Sequence, residues 1–230
     1  MPASHAAALP TNRARGASLP PELGRARRPE TVRRIVATAE KIFAEQGLDG
    51  ARTDAIARAA RVNKALLYYY FKSKEDLYRF TLQTLLDRMR QQVESAMAET
   101  VEPQERLVRY VKGYFDFMAD HPNYPRLVQR EVMGRGRSLQ WIVQAYFGPL
   151  YRQLTATIRA GMARRQFRRV DPQNAAVTLI AMTVFYFAAA PVLGELWGSN
   201  PLAPGRVAAR RRAVLDFLEH GLFRQVVGEE

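Results

Sequence analysis

The side chains able to do chemistry are distributed in a way that excludes most catalysis. The 230-residue chain has no cysteine and only three histidines, His5, His121 and His220, far apart in sequence. Thiol nucleophiles, disulfides and thiolate metal sites are excluded, and no HExxH or similar ligand spacing occurs. Neither a Gly-rich phosphate loop nor a nucleophile–base pair supports an enzyme, so no metal and no cofactor is expected. What stands out is three consecutive tyrosines, Tyr68, Tyr69 and Tyr70, with Lys64 before them and Lys74 after. Phenols and ammonium groups at this density suit hydrogen bonding to phosphates and base edges. Three successive residues of one helix cannot all face a core, so at least one projects outward, and exposed tyrosine clusters usually bind something.

The segments that carry these groups read as helices. Val32, Ile35, Val36, Ala39, Ile42 and Phe43 recur at helical spacing, with Pro29 and Glu30 suited to a first turn and Gly47 to the stop. A short helix is predicted over 53–60 and another over 64–71, joined by a tight turn at Arg61-Val62. Ile56 and Val62 pin the pair, and Asn63 suits the N-cap of the second. On a helical wheel Leu67 and Phe71 fall together on the core side. Ala65, Leu66 and Tyr69 centre on the opposite face, flanked by Lys64, Tyr68 and Tyr70. That outward face offers hydroxyls and an ammonium for phosphates and apolar atoms for thymine methyls. Ser73, with Glu75 and Asp76 in the first turn, opens a fourth helix expected to run to about Ala98.

Further helices are predicted over 103–121, 124–134, 139–165, 171–196 and 204–225, with breaks at Gly134-Arg135-Gly136 and Gly198-Ser199-Asn200-Pro201. No strand pattern appears, so the fold class is all-α. Residues 175–193 carry no charge over a length able to span a bilayer. Their alanine content, Thr178, Thr183, Pro191 and the lack of an aromatic belt favour a helix central to a domain or an oligomer interface. No membrane segment and no secretory signal is expected, which places the protein in the cytoplasm.

The formal net charge of +13 calls for a polyanionic partner, nucleic acid or an anionic membrane surface. The excess is spread: +4 in residues 1–28, +2 in 29–77, +6 in 78–165 and +1 in 166–230. Residues 1–28, rich in Ala, Pro and Arg, read as a disordered basic tail, either solvated or following a DNA backbone or minor groove. Residues 29–77 are expected to form a helix-turn-helix unit, with a face suited to DNA, and 78–230 a second helical domain.

The segment from Val32 to Leu77 resembles the DNA-binding domain of the TetR family. Its helix-turn-helix ends in Leu67-Tyr68-Tyr69-Tyr70-Phe71, followed by Lys72-Ser73 and Lys74-Glu75-Asp76-Leu77, with Gly47-Leu48 and Ile56-Ala57 in register. The resemblance implies that Lys64, Ala65, Leu66 and Tyr69 approach base edges and that Tyr68 and Tyr70 bond phosphates. It further implies that Lys74 holds a phosphate at a helix N-terminus, with Arg52 and Thr53 clamping the backbone; Asn63 belongs to the same set. Two departures from the family pattern are Arg52, where Thr is usual, and Arg61, where Gly is common.

Beyond residue 80 the resemblance is architectural. It implies a homodimer through the last two long helices and a small-molecule pocket among the fifth to eighth helices. Candidate lining residues are Tyr114, Met118, Leu127, Glu131, Trp141, Tyr146, Phe147, Tyr151, Met182, Phe185 and Tyr186. Glu131, between Val128 and Val132, either orients a cationic ligand or pairs with Arg130 or Arg135. The resulting expectation is a repressor released from a palindromic operator in double-stranded DNA by a small-molecule effector. The alternatives are an activator and a basic nucleic-acid-binding protein without operator specificity.

Overall fold

A computed structural model of the chain describes residues 28–97, 101–133 and 138–224. The expected tail and the break at Gly134-Arg135-Gly136 fall largely outside them. Eleven helices follow in order: α1 (Arg28–Gly50), α2 (Thr53–Ala59), α3 (Lys64–Tyr70), α4 (Lys74–Ala96), α5 (Pro103–Asp120), α6 (Tyr124–Met133), α7 (Leu139–Ile142), α8 (Gly148–Ala163), α9 (Pro172–Ala188), α10 (Ala190–Trp197) and α11 (Pro204–Gly221). One isolated antiparallel bridge, Phe167 with Phe223, is the sole β-type pairing among the described residues.

The local signals act as their chemistry dictates. Asn63 Oδ1 accepts from the Leu66 amide at 2.7 Å and Ser73 Oγ from the Asp76 amide at 3.0 Å, so α3 and α4 each begin on a side-chain cap. Gly47 takes a positive φ of 71° and bends the end of α1. That backbone conformation is what demands glycine; a Cβ there would also press on the end of the Arg130 side chain, which would have to move aside.

Three long helices expected from the sequence are interrupted or shortened. The 139–165 stretch is α7, a π turn over Val143–Phe147 and α8. Pro149 has no N–H to give the preceding turn, and the chain rewinds locally instead of breaking. The 171–196 stretch divides at Ala189 into α9 and α10, bent by 66°. Pro191 causes this, because its ring opposes the carbonyl one turn back and removes a hydrogen bond. No single described helix is long and apolar enough to cross a membrane. The last helix, α11, ends at Gly221 rather than near 225.

Arg61 adopts a left-handed conformation (φ 53°) in the turn between α2 and α3. A side chain costs roughly 1 kcal/mol there that glycine does not. Arg61→Gly is therefore expected to stabilise the protein by about 1 kcal/mol, a rise of roughly 2–4 °C in Tm for a chain of this size. A thermal melt followed by circular dichroism checks it; an unchanged or lowered Tm counts against the strain.

One apolar core runs through the molecule. Val32, Ile35, Phe43, Ile56, Leu67, Phe71 and Leu77 close it around α1–α4, and it continues without a gap through Leu85, Leu107, Phe115, Leu154 and Leu179. Phe43 meets Tyr78 edge-on with ring centroids 4.9 Å apart.

Candidate DNA-reading face and effector cavity

The α2–turn–α3 unit presents its polar side outward. Leu67 and Phe71 are buried against α1 and α4, which turns Ala65, Tyr68 and Tyr69 to the outside. Tyr68 and Tyr69 are 41% and 38% exposed, an uncommon display for large aromatic side chains. Tyr70 and Leu66 are half-buried, and the Tyr70 ring packs edge-on against Tyr69 at 5.4 Å. The Tyr68 hydroxyl lies 3.3 Å from Thr53 Oγ1, tying the start of α2 to α3. Arg52 occupies the N-cap position of α2 without capping it through its side chain, and stays exposed.

Two expected phosphate or base contacts are engaged within the protein. Lys74 is half-buried and donates to the carbonyls of Asp49 (3.3 Å) and Ala51 (3.2 Å), which locks the loop before α2 onto α4. Lys64 forms an exposed ion pair with Asp54 at 2.9 Å across the turn. The hydrogen bond to Asp54 and the attraction of its charge raise the Lys64 pKa, so the ammonium is retained. Asn63 spends its carbonyl oxygen on the α3 cap. Arg52, Thr53, Tyr68 and Lys74 nevertheless share one shallow surface depression at the α2–α4 corner.

A second site lies in the helical domain. α5, α6, α8 and α9, with residues of α4, α10 and the π turn, line a cavity of 770 Å³ that opens to the surface at Met133, Phe185 and Val192; its volume is within the roughly 300–1,000 Å³ range of small-molecule pockets. Five of the expected lining residues reach it: Tyr114, Met118, Phe147, Tyr151 and Phe185. The other six do not. Leu127 is buried facing away from it, and the Tyr146 hydroxyl donates to Asp87 Oδ1 at 2.9 Å. The Tyr186 hydroxyl donates to the Pro201 carbonyl, and the Met182 carbonyl accepts from Arg210. Trp141 and Glu131 border a separate open cleft between α1 and α6.

Glu131 is held by groups the sequence did not point to, and Arg135, one of its two expected partners, lies outside the described residues. The Glu131 carboxylate is 8% exposed and makes no ion pair with Arg130, which bonds elsewhere. Oε1 accepts from the Tyr78 hydroxyl on α4 at 2.7 Å and Oε2 from the Ser138 amide at 3.1 Å. Arg130 turns instead to the Glu45 carbonyl at the end of α1 (3.0 Å), and Asn123 donates to Glu40 Oε1 (3.2 Å). One side of α6 is thus fastened to α1 and α4. Its other side, Tyr124, Val128 and Val132, walls the cavity. Those three residues, missed as lining, are spaced i, i+4, i+8, the signal of one helix face.

Burial raises the pKa of the cavity phenols. Tyr110 is pushed up to about 12, and Tyr114 and Tyr124 are raised in the same direction. A phenol whose folded pKa lies above its unfolded value stabilises the fold below about pH 10, and that stability is lost as pH rises through the folded value. The protein is expected to unfold between about pH 10 and 12, with ultraviolet tyrosinate absorbance rising together with loss of helical signal. Titration of all ten tyrosines near pH 10 with the helices intact would contradict the burial.

A buried-backed, outward-facing α3 with exposed phenols defines a helix-turn-helix DNA-binding protein. Sequence comparison makes the assignment specific. Residues 35–79 match the model of bacterial regulatory proteins of the TetR family, and residues 103–218 match the tetracyclin repressor-like C-terminal domain. The chain belongs to the TetR family, and it is a ligand-responsive, DNA-binding transcriptional regulator. Among its relatives is the HTH-type transcriptional repressor NicS of Pseudomonas putida, 27% identical over 66% of this chain and 73% of that one. The regulator RutR of Escherichia coli K12 is 27% identical over 72% and 78%. A transcriptional regulator from Streptomyces coelicolor superposes with a TM-score of 0.66 at 25% identity, covering 85% of this chain and 99% of that one. One from Saccharomonospora viridis, solved in complex with choline, shares the fold with a TM-score of 0.70 at 22% identity, over 86% and 100%.

Proposed function

We propose that the protein is a homodimeric repressor that leaves a palindromic operator when a small molecule occupies the 770 Å³ cavity. The observation that carries this reading is the double attachment of α6. The helix that walls the cavity also holds α1 through Arg130 and α4 through Glu131, so filling the cavity and moving the DNA-reading unit share one element. A ligand shifts operator affinity only through such differential contacts, and a coupling of about 1–3 kcal/mol changes it 5- to 150-fold.

In this reading Tyr69, Ala65 and Leu66 face base edges. Tyr68, Thr53, Arg52 and Lys74 lie along the phosphates, and Lys64 exchanges Asp54 for DNA. Val177 and Phe185 on α9 and Phe217 on α11 are 55%, 68% and 62% exposed. They continue through Ala181 on α9 and through Ala209 and Ala213 on α11 as two apolar stripes at i, i+4 spacing, which favours pairing with a second copy. Residues 29–77 and 78–230 act as reader and sensor, in the cytoplasm and without catalysis. The test is a footprint of the purified protein on DNA flanking its own gene at physiological salt. A protected palindrome is the expected result. Diffuse protection with no preference over random DNA would mean charge-driven binding instead.

A further inference from the structure

We infer that the cavity takes an uncharged, largely apolar molecule bearing a hydrogen-bonding group, and that it rejects carboxylates and quaternary ammonium ions of the same length. The inference rests on the reading of this cavity as the effector site. None of its 21 described lining residues is Asp, Glu, Lys, Arg or His. The buried carboxylate nearest in sequence to its wall, Glu131, is turned away and spent on Tyr78 and Ser138. A charged ligand would therefore lose its hydration with no counter-ion to replace it.

Among the described residues, no cation of the +13 excess belongs to the lining; Arg152, whose guanidinium stands beside Gly148, is exposed. Arg130 is bound to the Glu45 carbonyl, Arg164 to Glu102 and Arg211 to Asp116, all outside the lining.

The polar atoms that do face the cavity are neutral. The Tyr110 hydroxyl lies 3.4 Å from Thr183 Oγ1. The Tyr114 and Tyr124 hydroxyls serve one another. Half-buried Tyr151 differs, because its hydroxyl makes no hydrogen bond to any described residue and remains available to a ligand's hydroxyl or carbonyl. Exposed Gln129 offers a neutral amide at the cavity's edge, so a largely apolar lining with the Tyr151 phenol inside orients a neutral molecule by its polar end.

The experiment uses the full-length protein and the neutral fluorophore N-phenyl-1-naphthylamine, displaced by three chain-matched competitors: 1-decanol, decanoate and decyltrimethylammonium. 1-Decanol is expected to displace the fluorophore at concentrations at least about tenfold lower than either ion. Tyr151→Phe should weaken 1-decanol about three- to tenfold, the loss of one hydrogen bond, once the variant's own fluorophore affinity is taken into account. Ile180→Trp, which fills the cavity, should abolish binding of both; Val184→Phe is the milder filling variant if the first does not fold. Equal or tighter binding of decanoate or decyltrimethylammonium, blocked by the filling variants, overturns the ligand class and leaves the cavity as effector site. Binding of 1-decanol that survives both filling variants, or no binding of any of the four compounds, overturns the inference and the cavity reading together.

Discussion

Tyr69→Ala is expected to weaken operator binding by about 10- to 100-fold, equivalent to about 1.4–2.7 kcal/mol, the range of one lost base-edge contact. Affinity for random duplex should change less than about threefold, because phosphate contacts carry non-specific binding. The reason is positional. Tyr69 lies opposite Leu67 and Phe71, which are anchored in the core, and its ring stands 38% exposed on the outward face of α3. Fluorescence anisotropy with operator and random duplexes at the same salt separates the two effects. An equal loss on both duplexes would assign Tyr69 to the DNA backbone. Tyr70→Phe provides the contrast: that ring is half-buried against Tyr69, and its hydroxyl should matter far less to base discrimination.

Loss of Glu131 should have the largest effect on stability of any single polar substitution. Glu131→Ala leaves the Tyr78 hydroxyl and the Ser138 amide without their acceptor in a mostly buried setting. At about 1–3 kcal/mol per stranded group, a total near 3 kcal/mol lowers Tm by roughly 6–12 °C. Glu131→Gln keeps one acceptor oxygen and should fall between wild type and alanine. The same substitution also releases α6 from α4. The alanine variant, assayed well below its Tm, is therefore expected to bind operator normally but respond to effector at least about fivefold less. Melts within about 1 °C of wild type would remove Glu131 from the load path between the two sites.

What could be read from the sequence was what is local. The α3 cap at Asn63, the α4 cap at Ser73 and the inward pair Leu67 and Phe71 depend on neighbours within four residues, and all appear where the pattern places them. The strained turn at Arg61 was legible for the same reason. What could not be read depends on partners far along the chain. Lys74 looks like a free cation until the carbonyls of Asp49 and Ala51 are brought beside it. Glu131 looks like a ligand contact until α4 delivers Tyr78, 53 residues away in sequence. Cavity membership is harder still, since a buried aromatic side chain has the same pattern whether it meets a void or a neighbour. Tyr146 and Tyr186 were aromatic and inward, yet their hydroxyls close on Asp87 and Pro201. The interruptions at Pro149 and Pro191 fall inside stretches read as continuous helices, and a π turn and a 66° bend are two different responses to one missing N–H, between which packing selects.

α4 begins beneath the recognition unit and runs 23 residues, about 34 Å, without interruption. Its early residues Leu77, Tyr78 and Leu82 pack with α1, and its later ones, Leu85 to Val93, pack with α5. A division at residue 77 would cut this helix after its first turn, so a fragment ending there is expected not to fold by itself. Heating should consequently melt the two functional regions in one cooperative step, not two. Any molecule that binds the native cavity then protects the DNA-reading helices from proteolysis by mass action alone, even in the absence of an operator.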